Sequence, residues 1–170
     1  MDFTLDHGTW QTNAAFQAWS GFTSADTVPI TFAPEGRNDS PLSDAEIGLI
    51  QTAINDHATQ VPVLLGAVLA AYPQFQQHFQ DDYGPEETLP DIATRNELSS
   101  VIALREVFVH QLQTGGAPYI GFRFHCEWDP EHGLGVLMHG LRVVDMGGAD
   151  TAFLLWIAEQ DWDGKGQTKV

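Results

Sequence analysis

A chain of 170 residues is the length of one domain and buries roughly two thirds of its unfolded surface, so a core can form without staples. Seven basic residues face 23 acidic ones, a formal net charge of −16, and Arg37 is the sole basic residue before Arg95. That balance repels phosphate, which argues against nucleic acid and anionic membrane as partners and makes a basic protein or a cation the complementary one.

The single cysteine, Cys126, cannot form an internal disulfide. The opening M-D-F-T-L-D-H lacks the basic and apolar regions of a signal peptide, so a cytoplasmic location is expected. The longest apolar run, residues 61–72, contains Pro62 and Gly66 and is too short to span a bilayer.

Residues 1–35 read as a β-rich opening. Phe3–Leu5, Thr9–Gln11, Ala14–Trp19 and Val28–Phe32 are short aromatic or β-branched runs punctuated by Gly8, Asn13, Gly21 and Pro34. Trp10, Phe16, Trp19, Phe22 and Phe32 would supply one face of a core. Residues 35–41 form a polar turn segment.

Ser43-Asp44-Ala45-Glu46 reads as a capping box at a helix start. Ile47, Ile50, Ile54, Val61, Leu64, Leu65, Val68 and Tyr72 follow at helical spacing. Proline lacks a donor and clashes inside a helix, so Pro62 predicts two helices, about 44–57 and 61–72, with a break near His57–Gln60 and a stop at Pro73. Gln74–Asp91 then reads as an acidic connector carrying Asp81, Asp82, Glu86 and Glu87. It lacks the spacing of a calcium loop, and its expected use is as a binding surface for a basic partner.

Thr94, with Glu97 three residues on, starts a short helix. Arg105–Gln113 alternates as a strand, and Thr114-Gly115-Gly116 turns the chain. In the next strand Tyr119, Gly121, Arg123 and His125 share one face while Ile120, Phe122, Phe124 and Cys126 share the other. Leu134–His139 and Leu141–Met146 make two more strands around a turn at His139-Gly140. Asp150 caps a final helix, Thr151–Gln160. The expected fold is α+β: an antiparallel β-meander with a pair of central helices and a C-terminal helix packed on it. Its strands are joined by turns too short for crossover helices, and the β opening is placed to extend the sheet. Residues 1–163 form a single domain and 164–170 a flexible tail.

The segment from His125 to Gly133, H-C-E-W-D-P-E-H-G, holds the residue types that ligate zinc or build a Cys–His nucleophile. No second cysteine supplies a ligand pair, and His125 and Cys126 point to opposite faces of one strand. Glu127, Asp129 and Glu131 would raise a thiol pKa rather than lower it. Asp145 joins these carboxylates as a candidate hydrolytic pair with no fixed geometry. No catalytic residue, metal or cofactor is assigned, and no phosphate loop, H-E-x-x-H or G-x-S-x-G is present.

The run C-x-W-D-x-E-H-G-L-G-V, with the following R-V-V and G-G-A-D, resembles an uncharacterised bacterial domain family of small, acidic, cytosolic α+β proteins. The resemblance covers the chain from Tyr119 onward, with a looser likeness in the helical region. Some members are described as immunity proteins encoded near polymorphic or contact-dependent toxins. The resemblance makes Trp128, Asp129, Glu131, His132, Gly133 and Gly135 the family-signature positions and implies no known reaction. With the charge, it makes the leading expectation a non-enzymatic acidic binding protein, an immunity protein that neutralises a basic toxin. The alternative is a small metal-dependent or hydrolytic enzyme using Cys126–His132. A third reading, a module of a larger assembly, rests on exposed aromatics such as Trp162.

Overall fold

The computed structural model describes residues 1–36 and 39–166. Seven strands form one sheet in chain order: β1 Thr4–Asp6, β2 Thr9–Ala14, β3 Val28–Phe32, β4 Ile102–Thr114, β5 Ala117–Cys126, β6 Leu134–His139 and β7 Arg142–Gly147. Every neighbouring pair is antiparallel except β3 and β4, which are parallel. The α+β class and the meander from β4 to β7 are as the alternation predicts, and the β opening does extend the sheet. The short turns hold within that meander, while the β opening joins it through β3 and β4 as parallel neighbours, which need a long connection, and helix α1, Asp44–Tyr83, is part of it.

The predicted helix pair is one continuous helix of 40 residues, about 60 Å long, with Pro62 and Pro73 inside it. The capping box forms as read. The Ser43 N–H donates to Glu46 Oε2 at 2.7 Å, and the Glu46 N–H donates back to Ser43 Oγ at 3.4 Å. A proline in a helix interior costs about 3 kcal/mol. Leu64, Leu65, Val68 and Tyr72 between the two prolines are buried against the sheet, and each such side chain contributes roughly 1.5–3 kcal/mol. Packing therefore outweighs propensity. Both prolines lie on the exposed side, and the Pro62 carbonyl also accepts from Arg95 Nη1 at 2.9 Å. Pro73→Ala is expected to stabilise the protein by about 1–2 kcal/mol, because the Leu69 carbonyl regains a helical donor while the unfolded chain gains some freedom. Thermal denaturation checks this, and a lowered Tm would mean that the helix path requires the ring.

Helix α1 covers the face of the sheet that carries Ile30, Phe32, Val107, Ile120, Phe122, Phe124, Cys126 and Val136. The opposite face is closed by a 3-10 turn, Ala149–Ala152, and by helix α2, Leu155–Gly166, over Tyr119 and Leu137. The final helix thus begins after the Asp150 turn, not at it, and runs past Gln160. The expected tail is helical through Gly166, and its residues 167–170 lie outside the described residues, as do Arg37 and Asn38 of the polar turn. The Ala14–Trp19 run is also divided: β2 ends at Ala14, and Gln17–Trp19 is a 3-10 turn that buries Trp19. Among the described residues no helix is long and apolar enough to cross a membrane.

His110 on β4 is buried on the α2 side, 3.0 Å from the Ala152 carbonyl through Nε2. Burial lowers its pKa, opposed in part by that hydrogen bond. The unfolded chain then binds the extra proton more readily than the folded one. The stabilising contribution is complete above the unfolded value near about 6.5 and is lost as pH falls through the folded one. Urea midpoints are expected to drop between about pH 8 and about pH 5, with a smaller drop in His110→Gln.

Candidate functional site

The acidic connector and the β5–β6 connection, far apart in sequence, meet. Because α1 does not stop at Pro73, residues 74–83 are helical, and Phe75, Phe79 and Tyr83 fall four residues apart along one stripe. The β5–β6 connection comes up beside this stripe. Trp128 stacks on Phe75 with ring centroids 4.6 Å apart and planes 7° apart, and meets Tyr72 edge-on at 5.8 Å. Tyr72 is itself fixed by donating to the Pro90 carbonyl at 2.8 Å. Phe79 and Tyr83 form a second ring pair, 4.7 Å apart.

Between helix and loop lies a groove of about 670 Å³. Its helix side carries Phe75, His78, Phe79, Asp81, Asp82 and Tyr83, and its loop side Trp128, Asp129, Glu131 and His132. The backbone of Gly133, Gly147 and Gly148 completes the lining. Two of the four acidic-connector residues, Asp81 and Asp82, thus join Trp128, Asp129, Glu131, His132 and Gly133, whereas Glu86 and Glu87 are exposed beyond the helix end and do not line the groove. Among the described residues no ion pair neutralises Asp81, Asp82 or Glu131. The helix end adds to their potential. Its last turn has no basic residue, and the C-terminus of a helix is equivalent to roughly −0.5 charge, so carboxylates there are locally unfavourable.

The residues of the β5–β6 connection and of the start of β6 divide into builders and lining. Asp129 shapes the loop: its Oδ1 accepts from the His132 N–H at 3.0 Å, and its carbonyl accepts from Gly133 at 2.8 Å. His132 Nδ1 lies 3.0 Å from the same carboxylate oxygen. Gly133 has φ +75°, and a Cβ there would stand 2.5 Å from the Phe124 carbonyl oxygen. At Gly135 a Cβ would meet the Gly148 carbonyl oxygen at 2.5 Å, so the bare backbone lets the Ala149–Ala152 turn sit on β6. Trp128 pins the loop to α1. Glu131 and His132 are exposed on the groove's loop side.

The same geometry bears on the enzymatic alternative. Cys126 faces the core with no exposed surface, its thiol donates toward the Asp129 carbonyl at 3.5 Å, and burial pushes its pKa up to about 12. A thiol so placed is protonated at neutral pH, and His125 lies on the other face of β5, 3.5 Å from Glu127. Among the described residues no group of three or more His, Cys, Asp or Glu side chains is placed to hold a metal ion.

Sequence reasoning missed Phe75, His78, Phe79 and Tyr83. For Phe75, Phe79 and Tyr83 the signal is a four-residue aromatic spacing beyond Pro73, which a helix stop at that proline conceals; His78 carries no such signal.

No curated protein and no solved structure matches the chain. The family model described as Domain of unknown function (DUF6985) matches residues 2–154, which takes in the whole sheet, α1 and the groove, and the chain belongs to that family.

Proposed function

We propose that the protein is a non-enzymatic binding protein whose groove between the end of α1 and the β5–β6 loop captures a basic protein partner. The observation that carries this reading is the convergence of Asp81 and Asp82 with Asp129 and Glu131 on one aromatic-walled groove. The −16 charge adds long-range steering, which speeds encounter with a basic surface and disfavours acidic ones. Within this reading the partner is a toxin, basic because it must hold nucleic acid, and the chain is its immunity protein, covering the toxin's active site in the cytoplasm. The signature resemblance and the charge support that narrower identity.

The test is capture of the toxin encoded beside this gene, together with protection of cells expressing it. Binding is expected at about 0.1 M salt and is expected to weaken steeply toward about 1 M, where the screening length falls from about 10 Å to about 3 Å. Failure to bind or protect at low salt would sink the immunity reading. A partner held equally well at both salt concentrations would argue against the electrostatic one.

A further inference from the structure

The groove combines two features that a charge argument alone does not require. Its lining sets carboxylates among aromatic rings: Phe75 stacked on Trp128, and Phe79 against a Tyr83 that is 58% exposed. It also lies at the carbonyl end of a 40-residue helix whose last turn offers no cation of its own. A lysine ammonium is a strongly hydrated point charge that gains little from such walls. A guanidinium is planar and weakly hydrated, stacks on aromatic rings, and presents a fork of donors to carboxylates. The acceptors of the lining suit this occupant: Asp81 accepts from Gln77 Nε2 at 2.9 Å through one oxygen and keeps the other, Asp129 is engaged with His132, and the exposed carboxylates of Asp82 and Glu131 are engaged by no other side chain among the described residues.

Resting on the binding reading above, we propose that the groove is an arginine-recognition site: it seats an arginine side chain of the partner, with the guanidinium against the Tyr83–Phe79 rings and hydrogen-bonded to the carboxylates of Asp82 and Glu131. The partner is thereby specified as a protein segment that projects arginine, and lysine at the same point is a weaker substitute.

The experiment uses two synthetic peptides, one alternating arginine with glycine and the other lysine with glycine, titrated into the full chain at low salt. Affinity is read by calorimetry, and location by the shift of the Trp128 indole N–H resonance. The arginine peptide is expected to bind at least about threefold tighter, to move the Trp128 resonance, and to lose that preference in Tyr83→Ala and Asp82→Asn. Both substitutions are at exposed positions, so folding is not at stake. Equal affinities with Trp128 unmoved would overturn the arginine site while leaving a diffuse acidic surface intact. A preference that survives Tyr83→Ala would also overturn it. Binding of neither peptide would overturn both this site and the electrostatic reading beneath it.

Discussion

Replacing Gly121 by alanine is expected to destabilise the protein by roughly 3 kcal/mol or more, which lowers the Tm of a chain this long by about 6–12 °C. A Cβ at Gly121 would stand 1.7 Å from the Ala152 carbonyl oxygen and 2.5 Å from its carbon. Both are backbone atoms, so a rotamer change cannot relieve the clash, and the 149–152 turn would have to lift off the sheet. That turn leads directly into α2, so Ile157 and Ala158 would lose their seat on Tyr119 and Leu137. Gly66→Ala provides the contrast. Gly66 lies in α1, a Cβ there would meet nothing within 4 Å, and alanine is expected to stabilise by about 0.5–1 kcal/mol. Thermal or urea denaturation of the two variants checks both signs. A Gly121→Ala protein as stable as the parent would contradict the close packing of turn on sheet.

Trp128→Ala is expected to cost about 3 kcal/mol, from lost burial and from two ring contacts worth roughly 0.5–1.5 kcal/mol each. The side chain is only partly buried, which keeps the loss near the lower end of the range for tryptophan truncation. The effect should be local in origin: without the stack on Phe75 the last turns of α1 and the β5–β6 loop separate, and amide exchange at residues 75–83 should quicken more than in the strands. Trp128→Phe retains a ring against Phe75 and Tyr72 and should cost less than half as much. A Trp128→Ala variant with parental stability and unchanged exchange in α1 would show that the loop does not depend on this contact.

The sheet was legible because strand alternation is a local signal. The assignment of Ile120, Phe122, Phe124 and Cys126 to one face and Tyr119, Gly121, Arg123 and His125 to the other matches the two sides on which α1 and α2 pack. What escaped was non-local. Pro62 and Pro73 are strong local signals for ending a helix, yet four buried side chains between them hold the helix continuous, and no residue pattern announces that the stripe outweighs the prolines. The parallel pairing of β3 with β4 likewise depends on a connection of 69 intervening positions, 33–101, that only the folded chain brings back. The groove was half legible. Its loop side carried an unusual string, and its helix side carried an acidic pair, but Asp82 and Trp128 become neighbours of one cavity only because α1 runs straight to Tyr83.

That straight run puts two carboxylates where stability and partner binding pull in opposite directions. Asp81 and Asp82 stand at the negative end of the α1 dipole in a protein already at −16, so Asp81→Asn/Asp82→Asn should raise stability by roughly 0.3–1 kcal/mol per site. If the groove captures a basic partner, the same two substitutions should weaken that partner's binding at low salt by at least about tenfold. The decisive measurement is therefore the partner affinity of the double variant set beside its thermal stability. A variant that is more stable and binds worse is the result expected of carboxylates placed for a ligand. A variant that binds the partner as tightly as the parent would contradict capture at this groove.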